Sequence, residues 1–130
     1  MYLPTEDVMV KGRLPRHLRS PGSNYYWEMR DDTVPQELWG LAPVWVSGPI
    51  LERCRCIDGV MVCGDVRVGA LYVAAELIDG EALQYLLRLA NEGLNIVLKT
   101  PPREPGVISP QSRFVDTLTQ LMNHPNCHDN

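Results

Sequence analysis

The segment from residue 70 to residue 102 constrains the fold most, because it has the pattern of a strand, a helix and a second strand. Residues 71–74 are a short apolar run, and Asp79 can cap the helix that follows it. Gly93 lies where a left-handed residue would end that helix, and residues 96–98 form a second apolar run before two prolines. Such a unit closes a parallel sheet by a right-handed crossover. The segment therefore predicts an α/β fold, but it does not predict a reaction.

The composition of the chain is that of a soluble globular protein. Its 130 residues are 45% hydrophobic and 22% charged, enough to bury a core without disulfides or metal. We expect one domain over residues 1–130, with an irregular proline-rich excursion over 1–40 and the main body over 41–130. The net charge of −4 argues against nucleic acid as a partner, and we interpret the interrupted basic cluster at residues 11–19 as a solvated loop.

The sequence has no sign of membrane insertion or export. No apolar stretch approaches the roughly 20 residues of a membrane span, and the first residues lack the basic and hydrophobic regions of a signal peptide. We therefore expect a cytoplasmic protein with no membrane partner, in which the four cysteines are reduced.

A pair typical of a tight turn, Asp58-Gly59, separates two apolar runs and predicts a β-hairpin of residues 50–57 with residues 60–63. Counting outward from a two-residue turn pairs Ile57 with Val60, Cys56 with Met61, Arg55 with Val62 and Cys54 with Cys63. Side chains alternate along a strand, so Cys54, Cys56, Met61 and Cys63 share one face, which we expect to be the inner one. This register also predicts that Cys54 and Cys63 cross-link first under oxidising conditions.

Other patterns predict elements outside these two units. Residues 43–46 have the pattern of a strand followed by a turn, and residues 8–10 that of a possible short strand. We expect Tyr25, Tyr26 and Trp27 to pack on the main body. A helix is predicted from about residue 112 to residue 122, with one apolar face formed by Phe114, Val115, Leu118, Leu121 and Met122.

The cysteines are candidates for a metal site or a nucleophile, and the pattern disfavours both. Cys127 with His124 or His128 could complete a zinc site with the hairpin cysteines, but structural zinc sites use C-x2-C knuckles on turns. Cys63 opens no helix, whereas a nucleophile in this fold class lies on a strand-to-helix elbow. We therefore expect packed, reduced cysteines, no metal and no catalytic residue.

Charged residues follow both strands of the β-α-β unit, where open α/β sheets place ligands. Glu76 and Asp79 follow the first strand, and Lys99, Arg103 and Glu104 follow the second. These five residues are the candidate ligand-binding rim, for a sugar or an anion. Simpler interpretations remain open, since Asp79 can act only as a helix cap, Glu76 needs only solvent, and Arg103 can pair with Glu104.

Signatures of several enzyme classes are missing from the sequence. It contains no G-x-G-x-x-G and no G-x-x-x-x-G-K-S/T, so we expect no nucleotide cofactor. G-x-S-x-G and H-E-x-x-H are also missing, which argues against an α/β-hydrolase and a zinc protease.

A series of short motifs carries a family resemblance. The motifs are Tyr2-Leu3-Pro4-Thr5-Glu6-Asp7, Val46-Ser47-Gly48-Pro49, Ala70-Leu71-Tyr72-Val73, Ile78-Asp79-Gly80-Glu81-Ala82-Leu83, Leu89-Ala90-Asn91-Glu92-Gly93 and His124-Pro125-Asn126. Because these motifs follow one another in this order, the segment 41–126 resembles a known domain. That domain is the glutamine-amidotransferase-like domain embedded in large multidomain bacterial glycoside hydrolases of the β-galactosidase and α-L-rhamnosidase kind. The resemblance implies a small flavodoxin-like, three-layer parallel sheet, here with an added β-hairpin.

In those glycosidases the domain usually lacks the amidotransferase nucleophile and serves assembly or shapes the neighbouring active site. The chain carries neither a barrel nor paired sugar-cleaving carboxylates, so the resemblance implies a non-catalytic module and no glycosidase activity. We expect it to act in self-association, most simply as a dimer, or with a larger glycosidase partner, because so small a sheet leaves edges uncovered. The alternative is a small-molecule binding protein or enzyme that uses the rim defined above.

Overall fold

The computed structural model describes residues 1–7, 34–106 and 111–130, and they form a mixed α/β fold with two three-stranded sheets. Residues 5–7 are helical, and a 3-10 turn occupies Gln36–Leu38. The further elements, in chain order, are α1 (Gly48–Arg53), β1 (Arg55–Ile57), β2 (Val60–Cys63), β3 (Val66–Val68), β4 (Ala70–Val73), α2 (Gly80–Asn91), β5 (Asn95–Leu98), α3 (Ser112–Met122) and β6 (Cys127–Asp129).

The second sheet along the chain is parallel, with the strand order β4-β5-β6. Leu71 pairs with Ile96, which pairs with Cys127 on its other side. The predicted strand, helix and strand are confirmed, and so are the signals at both ends of the helix. The Asp79 carboxylate accepts a hydrogen bond from the Glu81 amide at 3.0 Å, and Gly93 has a φ of +107°.

Helix α2 lies between α1 and α3 and contacts both of them. Its apolar residues recur at helical spacing, so Leu83, Leu86 and Leu89 are fully buried on one stripe. One continuous hydrophobic cluster includes this stripe, Leu71 and Ile96 of the parallel sheet, and residues of the first sheet. Both sheets therefore contribute to the same core.

The first sheet is antiparallel, with the strand order β1-β2-β3. Asp58 and Gly59 have φ values of +52° and +77°, as a type I′ turn requires, and the predicted pairs of residues 55–57 with residues 60–62 are confirmed. The strand predicted over residues 50–53 is wrong, because these residues belong to α1. Pro49 in the first turn of that helix presets the helical φ and has no amide that needs a partner. Strand β3 was not predicted.

The first residues of the chain lie between β4 and the segment at Val46. The Tyr2 amide donates to the Tyr72 carbonyl at 2.8 Å, and the Leu3 amide donates to the Val46 carbonyl at 2.8 Å. Tyr2 and Val46 form an isolated parallel bridge, so the strand predicted over residues 43–46 is reduced to this bridge. Backbone hydrogen bonds thus extend from the parallel sheet to Val46.

The prediction of a helix over residues 112–122 is confirmed by α3, but only part of its predicted apolar face is buried. Phe114 and Leu121 are buried, whereas Val115 and Met122 are exposed. Thr117 is buried instead, and its hydroxyl is satisfied by donating to the Arg113 carbonyl at 2.8 Å within the helix.

Three predictions fall outside the described residues: the strand at residues 8–10, the basic cluster at residues 11–19 and the packing of Tyr25, Tyr26 and Trp27. Within the described ranges, no helix combines the length and the apolar character needed to cross a membrane.

Candidate functional site

The five residues of the predicted rim lie on two segments that continue past the ends of β4 and β5. These segments stay paired, since the Arg103 amide donates to the Glu76 carbonyl at 2.8 Å and the Ile78 amide donates to the Arg103 carbonyl at 3.0 Å. The Lys99 amide donates to the Val73 carbonyl at 2.9 Å, directly after β5. The structure therefore brings the residues after the two strands together along one edge of the sheet.

A buried carboxylate holds the first of these segments in place. Asp7 is fully buried, and its two side-chain oxygens accept hydrogen bonds from the amides of Glu76 at 2.9 Å and Leu77 at 2.7 Å. A buried charge is tolerated when such donors satisfy it. Asp7 thus joins the start of the chain to the rim. Sequence analysis missed this role, although the acidic pair Glu6-Asp7 was part of the motif that carries the family resemblance.

The neighbouring Glu6 makes a second connection to the same segment. Its Oε1 atom accepts hydrogen bonds from the Tyr2 hydroxyl at 2.7 Å and from the Asp79 amide at 3.1 Å. Tyr2 is almost fully buried, and this burial, together with the hydrogen bond to Glu6, raises the pKa of its hydroxyl well above the ordinary value. The Tyr2 hydroxyl is therefore a fixed donor and not an acid at neutral pH.

An acidic cavity of about 160 Å³ lies beside this network, between the starts of α1 and α2. Four carboxylates line it, those of Glu6, Glu52, Asp79 and Glu81, and Tyr85 forms part of the wall. Partial burial and then the nearby Glu52 raise the pKa of the Tyr85 hydroxyl. Asp79 belongs to the predicted rim, whereas Lys99, Arg103 and Glu104 do not line this cavity.

The other rim residues have separate environments. Lys99 and Arg103 are exposed, and the Glu104 carboxylate accepts a hydrogen bond from the Gln111 amide at 2.9 Å, at the residue that precedes α3. No ion pair between Arg103 and Glu104 occurs among the described residues. Glu104 thus stabilises the connection to α3, while Lys99 and Arg103 present their charges to solvent.

A larger cavity, of about 290 Å³, is almost entirely apolar. It lies between the first sheet, the strands β4 and β5, and the segment before α1. Its wall includes Met61, Cys63 and Val66 of the first sheet, Tyr72 of β4, and Leu41 and Val44. Sequence analysis missed this cavity, because its wall is built from segments far apart along the chain.

The cysteines of the first sheet face inward, as predicted. Cys54 and Cys56 are buried, Cys63 is half-buried, and all four cysteines are free thiols. Burial raises the pKa of the Cys54 thiol to about 12, with a hydrogen bond to the Cys63 thiol as a further cause, and burial also raises the pKa values of Cys56 and Cys127. Cys54, Cys56 and Cys127 are therefore protonated at neutral pH, which argues against a catalytic thiolate among these three residues.

Metal ligands are not brought together in the described part of the chain. There, no group of three or more His, Cys, Asp or Glu side chains is arranged to hold a metal ion. Cys127 and His128 lie on β6, and the nitrogen Nε2 of His128 is 3.2 Å from the side-chain oxygen of Asn95.

Comparison of the chain with protein-family models, with curated proteins and with solved structures finds no match.

Proposed function

We propose that this protein is a non-catalytic α/β module that functions by association, and that its partner is a second copy of the same chain in a dimer. The observation that carries the proposal is the apolar cavity and its rim. Leu41, Val44 and Val66 line the cavity and are exposed at its mouth. A contiguous exposed apolar surface around an apolar recess is typical of an interaction site, because covering it is favourable.

The same surface carries a protruding aromatic side chain next to the recess. Trp39 is 70% exposed and follows Leu38, which lines the cavity. The indole N–H donates to the Val34 carbonyl at 3.1 Å, which restrains the ring. A two-fold dimer requires a self-complementary patch, and a knob beside a recess meets this requirement. Trp is also among the residues that contribute most at interfaces.

The order of the paired segments supports a flavodoxin-like fold, which we include in the proposal. Backbone pairing runs from Val46 to Tyr2, then to β4, β5 and β6. If these five segments are numbered by their position along the chain, Tyr2 is the first, Val46 the second, and β4, β5 and β6 are the third to fifth. Their order in space is then 2-1-3-4-5, which is typical of flavodoxin-like sheets. It agrees with the resemblance to the amidotransferase-like domains of glycosidases, which serve assembly. A larger glycosidase is the other partner that this resemblance suggests.

Sedimentation velocity over a concentration series tests self-association. We expect the wild-type protein to sediment with a mass above that of one chain. The Leu41→Asp variant should sediment with the mass of one chain, because the substitution places a charge in the contact. Ile57→Asp is the matched control, since Ile57 is exposed to a similar degree, 61% against 66% for Leu41, and does not line the cavity. A monomer at high micromolar concentration would refute the dimer, and equal loss in both variants would refute the assigned surface.

The second candidate function is small-molecule binding at the rim of Glu76, Asp79, Lys99, Arg103 and Glu104. The pairing of the segments after β4 and β5 favours it, since ligands of open α/β sheets bind beyond the carboxyl ends of the strands. NMR titration with a monosaccharide and with phosphate should then shift the amides of residues 76–79 and 99–104, and Arg103→Ala should weaken the response. Shifts confined to other residues would refute this candidate.

A further inference from the structure

The paired thiols of the first sheet are positioned for covalent chemistry that the proposed association does not use. The register of β1 with β2 runs outward from the turn as Ile57 with Val60, then residues 56 with 61 and 55 with 62. One step further it places Cys54 opposite Cys63. In a hairpin with a two-residue turn this is a non-hydrogen-bonded pair, with Cα atoms about 4.5 Å apart, which falls within the range that a disulfide spans.

The backbone at Cys54, one residue before the paired part of β1, is compatible with this register. Helix α1 ends there, and Cys54 has extended φ and ψ values of −78° and 151°, so it enters β1 in strand conformation. Cys63 is fixed from its other side, because it pairs with Val66 of β3. The Cys54 thiol donates to the Ile50 carbonyl at 3.3 Å and also interacts with the Cys63 thiol. The two sulfur atoms are therefore neighbours in the reduced protein.

The two thiols differ in access. Cys54 is fully buried, whereas Cys63 is half-buried and lines the apolar cavity of about 290 Å³. A small neutral oxidant can reach Cys63 through this cavity, and the buried Cys54 thiol interacts with the Cys63 thiol. This arrangement, an accessible thiol next to a resolving one, is typical of redox-sensitive cysteine pairs.

We propose that Cys54 and Cys63 form a reversible disulfide in response to hydrogen peroxide. In the first step the Cys63 sulfur attacks one peroxide oxygen, the O–O bond breaks, and Cys63 sulfenic acid and one water form. In the second step the Cys54 sulfur attacks the Cys63 sulfur, and the S–O bond breaks. The departing hydroxyl takes the Cys54 thiol proton, so that the S–S bond and a second water form. Two thiols are oxidised by two electrons in total, and one peroxide is reduced to two waters.

Peptide mapping of the wild-type chain after limited peroxide treatment tests the proposal. The protein is oxidised, unfolded in the presence of an alkylating reagent and digested. We expect the first disulfide to join Cys54 to Cys63, with Cys56 and Cys127 still alkylated, and dithiothreitol to restore alkylation at all four positions. A first disulfide that involves Cys56 or Cys127, a disulfide between chains, or Cys63 oxidised to sulfinic acid without cross-linking would overturn the proposal.

Two variants assign the roles of the two thiols. Cys54→Ser should stop at the sulfenic acid of Cys63, which dimedone traps, whereas Cys127→Ser is the matched control and should form the disulfide at the wild-type rate. In Cys63→Ser, Cys54 should react with peroxide more slowly. If dimedone labels Cys54 in this variant as fast as it labels Cys63 in Cys54→Ser, the proposal that Cys63 is oxidised first is refuted. The peptide map of the wild-type protein needs no substitution, so it remains a valid test if a variant fails to fold. The disulfide lies within one chain, so the test does not depend on whether the protein forms a dimer.

Discussion

Replacing Arg88 by methionine tests how the end of α1 is held to α2. One guanidinium nitrogen of Arg88 donates to the carbonyls of Leu51 at 2.8 Å and Cys54 at 2.9 Å, and another donates to the Glu52 carbonyl at 3.3 Å. The last carbonyls of a helix have no partner within the helix, so a side chain that binds them stabilises its end. Methionine keeps the aliphatic part of the side chain and removes these donors.

The structure sets the magnitude of the loss. A hydrogen bond from a charged donor contributes about 1.5–3 kcal/mol when buried. The Arg88 side chain is 30% exposed, and Arg55 also donates to the Cys54 and Glu52 carbonyls, so neither oxygen loses all its partners. We therefore take about 1 kcal/mol for each of the two shorter bonds. The Arg88 pair with Glu92, at 3.8 Å, adds little. Arg88→Met should lower the free energy of unfolding by about 2 kcal/mol.

Urea denaturation followed by circular dichroism measures this loss. The urea concentration at the midpoint should fall, while the dependence of the free energy of unfolding on urea concentration stays unchanged. Arg113→Met is the matched control, because Arg113 also lies on a helix and makes an exposed hydrogen bond to the Gln84 side chain at 3.1 Å. It should cost less than about 0.5 kcal/mol. Adding Arg55→Met to Arg88→Met should cost more than the sum of the single changes, because the Cys54 carbonyl then loses both arginines. Equal losses in Arg88→Met and Arg113→Met would refute the reasoning.

Three further predictions test local features of the fold by the same urea assay. Asp79→Ala should cost about 1 kcal/mol through loss of the helix cap, and Asp79→Asn should recover most of it; no difference between them would contradict the capping role. Gly93→Ala, at a φ of +107°, should cost about 1–2 kcal/mol, whereas the control Gly69→Ala, with open space around it, should change stability by less than about 0.5 kcal/mol. The pKa of the Cys54 thiol is raised from 9.0 to about 12. Its contribution to the free energy of unfolding is therefore full below pH 9 and is lost as the pH rises toward 12, and the free energy falls by at most about 1.4 kcal/mol per pH unit. Under reducing conditions Cys54→Ala should flatten the decline above pH 9, and an unchanged slope would contradict this linkage.

The candidate site shows why sequence reasoning located it only in part. The positions of the rim residues follow from their place after two strands, and the pairing of Leu77 with Arg103 continues the parallel sheet into the rim. The partners that hold the rim do not follow from local sequence. Asp7 binds amides about 70 residues away, and Glu6 binds the Asp79 amide from a similar separation. A carboxylate at the surface and one buried against backbone amides have the same sequence pattern.

The sequence by itself determined the elements whose rules are local. Asp79 and Gly93 set the ends of α2 because a cap and a left-handed residue act on the nearest turn, and Asp58-Gly59 sets the β1–β2 register because a two-residue turn leaves no freedom to the pairs that follow. Only the tertiary structure decided where distant segments meet. It placed Met1–Leu3 beside β4, gave Arg88 the carbonyls of α1 as partners, and left the apolar cavity between segments that lie far apart along the chain. Such contacts depend on which surfaces remain unburied once the local elements have formed, and no short stretch of sequence encodes that.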